Sequence, residues 1–110
     1  MARPAYSDYA IHALRFYVNT HDTARPEAMD EVDAANWTAC RDVMAALPVH
    51  ERTVLIYLYS SRGNMCDIVE QAASLYGMPQ RHVWALLHRT ARNFALVRGL
   101  ITAKPSNFQH

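Results

Sequence analysis

The chain has 110 residues, of which 51% are hydrophobic, with only three glycines and five prolines and a formal net charge of +1. That length and composition suit one domain of long helices joined by short turns and argue against a strand-rich sandwich or a disordered chain. The longest strongly apolar run, residues 54–59, is far too short to cross a bilayer.

Taken in chain order, Ser7 is placed to cap a first helix reaching about Val18, since Ala10, Ile11, Leu14, Tyr17 and Val18 recur at helical spacing. Residues 19–26 read as a loop. Pro26, Glu27, Asp30, Glu31 and Asp33 then place acid at a helix start, where the backbone dipole favours it. The second helix carries Val32, Asn36, Ala39, Cys40, Val43 and Leu47 on one stripe, with Trp37 as an anchor of the junction. Pro48 suits the first turn of a third helix running to about Tyr59, with Val54, Leu55 and Leu58 inward.

Residues 60–64 form a turn around Gly63, and Asn64 with Asp67 caps a fourth helix ending near Tyr76. Gly77 and Pro79 punctuate the chain before a fifth helix that ends at Arg98, with Gly99 as its C-cap and Leu100 and Ile101 folding back on it. Residues 1–5 and 104–110 are expected to fray. The expected fold is all-α: a compact bundle of about five helices with a C-terminal helix-turn-helix. Residues 1–46 would form a helical pair that completes the core, and residues 47–101 would carry the function.

Charge is distributed unevenly along this chain. All ten carboxylates fall in residues 1–70, the last at Glu70, beside six arginines, a balance of −4. Residues 71–110 hold four arginines, one lysine and no carboxylate, a balance of +5. A basic half on a near-neutral protein orients the molecule on a polyanion.

The fifth helix divides this charge by face. On an ideal wheel Val83, Leu86, Leu87, Thr90, Phe94 and Val97 share one side, while Arg81, Ala85, His88 and Arg92 cluster opposite, flanked by Trp84 and Arg89. A small residue amid arginines permits close approach to a groove. The preceding window supplies what a helix-turn-helix needs: a small residue at the crossing, Ala73, and a residue tolerant of positive φ in the turn, Gly77. Apolar residues at its fixed offsets are Ala72, Tyr76, Met78, Val83 and Leu86.

The run from Leu47 and Pro48 through Glu51, Arg52, Val54 and Leu55 to Tyr59 resembles the opening of the fourth region of bacterial sigma factors. Ala73, Leu75, Gly77, Met78, Val83, Leu87, His88 and Arg89 match that region's helix-turn-helix and its basic tail. The resemblance covers residues 47 to about 100 and is shared by sigma-like phage and mobile-element regulators. Pro79 departs from a usual serine, and Trp84 and Leu86 replace residues often basic or polar.

The resemblance implies a transcriptional regulator that binds double-stranded DNA through the recognition helix. Gln80, Arg81, Trp84 and Ala85 would lie near base edges, and His88, Arg89 and Arg92 near phosphates. It also implies contact with RNA polymerase or another transcription protein. A homodimer is a further expected arrangement. The alternative is a protein-interaction module on the same scaffold, with Trp84 as its anchor.

No enzyme is expected, because no GxSxG, Walker loop, HExxH or CxxC occurs and His50-Glu51 lacks a second histidine. Neither cofactor nor metal is expected. Cys40 and Cys66 read as small buried apolar residues of a reduced, cytoplasmic protein without a signal peptide or membrane span.

Overall fold

The computed structural model describes residues 4–102, and five runs of helically spaced apolar residues fold there as α-helices with no strand among them. These are α1 (Ser7–Thr20), α2 (Glu31–Ala45), α3 (Val49–Ser60), α4 (Met65–Tyr76) and α5 (Gln80–Arg98), with a 3₁₀ turn at Pro26–Ala28 between α1 and α2. The architecture is the expected all-α one. The expectations for residues 1–3 and 104–110 lie outside the described residues.

Local chemistry explains most of the boundaries. Asp30 caps α2 by accepting from the Asp33 N–H at 2.8 Å, and Glu31 and Asp33 occupy the first turn, where the dipole favours acid. Asn64 caps α4 in the same way, accepting from the Asp67 N–H at 2.9 Å while its amide donates to the Asp67 carboxylate. Gly77 and Gly99 end α4 and α5 in the left-handed region, at φ +64° and +77°. Leu100 donates its N–H back to the Ala95 carbonyl at 2.8 Å, folding the backbone onto α5 as expected, although its side chain stays exposed.

Three expectations are corrected at these ends. Ser7 does not cap α1: it is the first helical residue, and the N-cap is Tyr6, whose side chain makes no capping bond. Pro26 starts only the short 3₁₀ turn, so α2 begins five residues later, at the stronger Asp30 cap. Pro48 stands one position earlier than expected, as the N-cap of α3.

α5 packs on all four other helices, α1 also touches α2 and α3, and α4 packs on α3 and α5. The core holds Leu14 of α1, Cys40 of α2, Val54, Leu55, Leu58 and Tyr59 of α3, Ile68 and Val69 of α4, and Val83, Thr90 and Phe94 of α5. Thr90 is tolerated there because its hydroxyl donates to the Leu86 carbonyl at 2.8 Å, one turn back. Trp37 is buried as expected and meets Tyr17 edge to face at 5.1 Å.

Two residues expected in the core lie outside it. Val32 is 55% exposed, because the side-chain contacts of α2 with α1 run through Asn36 and Trp37, a turn further on. Val97 is 54% exposed over a shallow groove floored by Ala34, Ala35 and Thr38 of α2, side chains too short to cover it. In its place Ala91 and Ala95 carry the close contacts of α5.

Burial also sets the acid–base chemistry of the core. It pushes the Cys40 thiol up from 9.0 to about 12 and raises the Tyr59 phenol, with the neighbouring Cys40 adding to the latter. The Tyr59 hydroxyl has no hydrogen-bond partner among the described residues. Above pH 9 the unfolded chain loses the thiol proton first while the folded chain keeps it, so stability falls as pH rises towards 12. Urea melts should therefore show an alkaline loss that is smaller in Tyr59→Phe, with that variant no less stable than the parent at pH 7.

A Cβ at Gly77 would meet nothing within 4 Å, so Gly77→Ala carries only the backbone cost of a left-handed residue. The expected loss is about 1–2 kcal/mol in denaturant melts, without change of fold by circular dichroism.

Candidate functional site

The segment singled out by the sequence is α4, a three-residue turn and α5. Ala73 and Ala72 are buried where α4 meets α5, and the Gly77 and Met78 N–H groups both donate to the Ala73 carbonyl. Pro79 follows in an extended conformation, and its carbonyl accepts from His82 and Val83. α5 therefore begins without a side-chain cap, leaving the backbone donors of its first turn to other partners.

Val83, Leu86, Leu87, Thr90 and Phe94 anchor the inner face of α5. That fixes the opposite face. Gln80, Arg81, Ala85, His88 and Arg92 are all exposed, and Arg81, Ala85, His88 and Arg92 form one stripe by helical spacing. Five of the seven expected site residues thus share an open surface.

The other two are turned aside. Arg89 donates to the Glu51 carboxylate of α3 at 2.6 Å, which occupies the guanidinium in an ion pair. Both partners remain partly exposed, so the pair contributes about 0–1 kcal/mol and acts mainly by orienting Arg89. Trp84 is half-buried, 6.2 Å from the His88 ring, and packs against the core rather than standing free beside Ala85.

Trp84 also lines a cleft of about 280 Å³ between the starts of α1 and α4 and the middle of α5. His88 reaches both this cleft and the outer stripe. The cleft was not legible in the sequence, because its walls come from residues near positions 7, 65 and 88. Cys66 lines it and is exposed, which corrects the expectation that both cysteines are buried; Cys40 alone is. Cys66 sits in the first turn of α4, before the buried Ile68 and Val69.

Two polar residues brace the packing of the helices around α5. Arg52 donates to the Met44 carbonyl at 3.1 Å and to that of Leu47 at 2.9 Å, satisfying acceptors at the end of α2. Asn36 donates to the Tyr9 hydroxyl at 2.8 Å and accepts from Arg98 at 2.6 Å, joining α1, α2 and the end of α5. An arginine four residues after a Leu-Pro pair was the only local hint of the first brace, and nothing local announced the second.

No helix among the described residues is long and apolar enough to cross a membrane, and no group of three His, Cys, Asp or Glu side chains there could hold a metal ion. No family model, no curated protein and no solved structure matches this chain.

The thiols provide a direct check of the site. Iodoacetamide at pH 8 should alkylate Cys66 in the native protein and leave Cys40 at least about tenfold slower, because reactivity follows thiolate and access. Intact mass should show one adduct under native conditions and two in urea.

Proposed function

We propose that the chain is a DNA-binding transcriptional regulator of the helix-turn-helix type, similar to the promoter-reading fourth region of sigma factors. α4 would cross the DNA backbone and α5 would enter the major groove by its first turns. The observation that carries this reading is the exposed stripe of Arg81, Ala85, His88 and Arg92, in a part of the chain without a carboxylate after Glu70.

In this reading Gln80, Arg81 and Ala85 meet base edges, and His88 and Arg92 meet phosphates. Trp84 contributes only its open edge, and Arg89 reaches a phosphate by exchanging its bond with Glu51. RNA polymerase or another transcription protein is the implied protein partner, and a second copy of the chain could align paired half-sites. The setting is the cytoplasm of a bacterium or of a phage-infected cell.

A protein-interaction module on the same scaffold is the second reading. It is favoured by the exposed apolar side chains Val49 and Leu75, although the packing of Trp84 against the core takes away much of its expected anchor. The two readings separate on salt dependence.

Fluorescence anisotropy with a labelled random duplex should give an affinity that falls about 40- to 150-fold between 50 and 200 mM salt, as for three or four phosphate contacts. An Arg81→Glu/Arg92→Glu variant should remain folded and lose binding. A folded parent protein that fails to bind at low salt would refute the DNA reading and favour the protein module.

A further inference from the structure

The cleft beside Trp84 has features of a built site. Three helices wall it: Ser7 and Ile11 come from α1, Met65 and Cys66 from α4, and Trp84, Leu87 and Ala91 from α5. Its volume of about 280 Å³ lies just below the roughly 300 Å³ at which ligand pockets for drug-sized molecules begin. Space of that size admits one or two fused rings and excludes a nucleotide or a long chain.

The lining specifies the chemistry of the occupant. Ile11, Met65, Trp84, Leu87 and Ala91 are apolar, and an indole and a thioether both favour a flat aromatic ring. Among the described residues no Asp, Glu, Lys or Arg lines the cleft, so its walls offer an ionised ligand no counter-ion for the hydration it would lose. Ser7 is only 5% exposed, lines the cleft and makes no side-chain hydrogen bond to another described residue. A hydroxyl on the cleft wall with no such bond can pair with an occupant that supplies a donor or acceptor. Asn64 and His88 add polar groups to the same lining.

We propose that this cleft binds a small, neutral aromatic molecule of one or two rings that carries a hydroxyl or carbonyl group for Ser7. The rings lie against Trp84, Met65 and Leu87. The ligand is held beside the outer stripe of α5, because His88 belongs to both surfaces. The inference is independent of the DNA reading, and its test contains no DNA, so either can fail alone.

1-Naphthol and naphthalene serve as probes, titrated into the full-length ¹⁵N-labelled chain and followed by NMR. Saturable shifts are expected at the Ile11, Cys66, Leu87 and Ala91 amides and at the Trp84 indole N–H, with a Kd between about 10 µM and 1 mM. The buried Trp37 indole should stay unmoved. Ser7→Ala should weaken 1-naphthol about 3- to 10-fold and leave naphthalene unchanged, the signature of one hydrogen bond. Alkylating Cys66 with N-ethylmaleimide should obstruct the cleft and abolish both titrations in a protein that remains folded. The proposal is overturned by absent shifts at about 1 mM 1-naphthol, by shifts centred elsewhere, or by undiminished binding to the alkylated protein. An equal loss of both probes in Ser7→Ala would overturn the assigned hydrogen bond.

Discussion

The burial of one face of α5 organises this molecule. Val83, Leu86, Leu87, Thr90 and Phe94 share that face, and every other helix packs against some part of α5. Full burial of a residue such as Phe94 or Val83 is worth about 1.5–3 kcal/mol, so this stripe alone outweighs any single polar contact in the structure. Because the inner face is fully committed, the outer face is fixed as well. The arginines can occupy it without disturbing the core.

The N-terminal pair of helices has a role beyond adding apolar area. α1 and α2 cover α5 towards its far end, where Tyr9 lies 6.2 Å from the Phe94 ring and Asn36 links Tyr9 to Arg98. Without that cover a helix of 19 residues would expose Phe94 and Ala95. Arg52 closes the carboxyl end of α2 against α3, so the two halves are joined by a charged group placed where a helix terminus needs one. These polar bonds decide orientation, while apolar burial supplies most of the stability.

The same arrangement divides the basic residues into two groups. Arg81 and Arg92 remain open, whereas Arg89 and Arg98 are engaged by Glu51 and Asn36. The wheel drawn from the sequence puts Arg81 and Arg92 in the stripe and Arg89 beside it, but it cannot show that Glu51 and Asn36 engage Arg89 and Arg98. Trp84 and His88 lie at the border between the open stripe and the cleft, so that border is where occupancy of one surface would be felt at the other. Structural and surface roles therefore meet on a single helix and overlap at Trp84 and His88.

The sequence by itself determined the helices. Apolar spacing, the Asp30 and Asn64 caps, and glycines at 77 and 99 act within a few residues, and local signals of that kind survive without knowledge of the fold. It also placed Val83, Leu86, Leu87, Thr90 and Phe94 of α5 inward, while missing Ala91 and Ala95 and misplacing Val97, and it placed Gln80, Arg81, Ala85, His88 and Arg92 outward. Only tertiary structure decided the rest. Val32 and Val97 are exposed because the neighbouring helix offers no side chain to meet them. Arg89 is held because Glu51, 38 residues earlier, stands beside it. Cys66 is open and Ser7 buried because α1 and α4 start next to the middle of α5. Helical periodicity reports the faces of one helix, whereas pairing, cover and clefts depend on where the other helices come to lie.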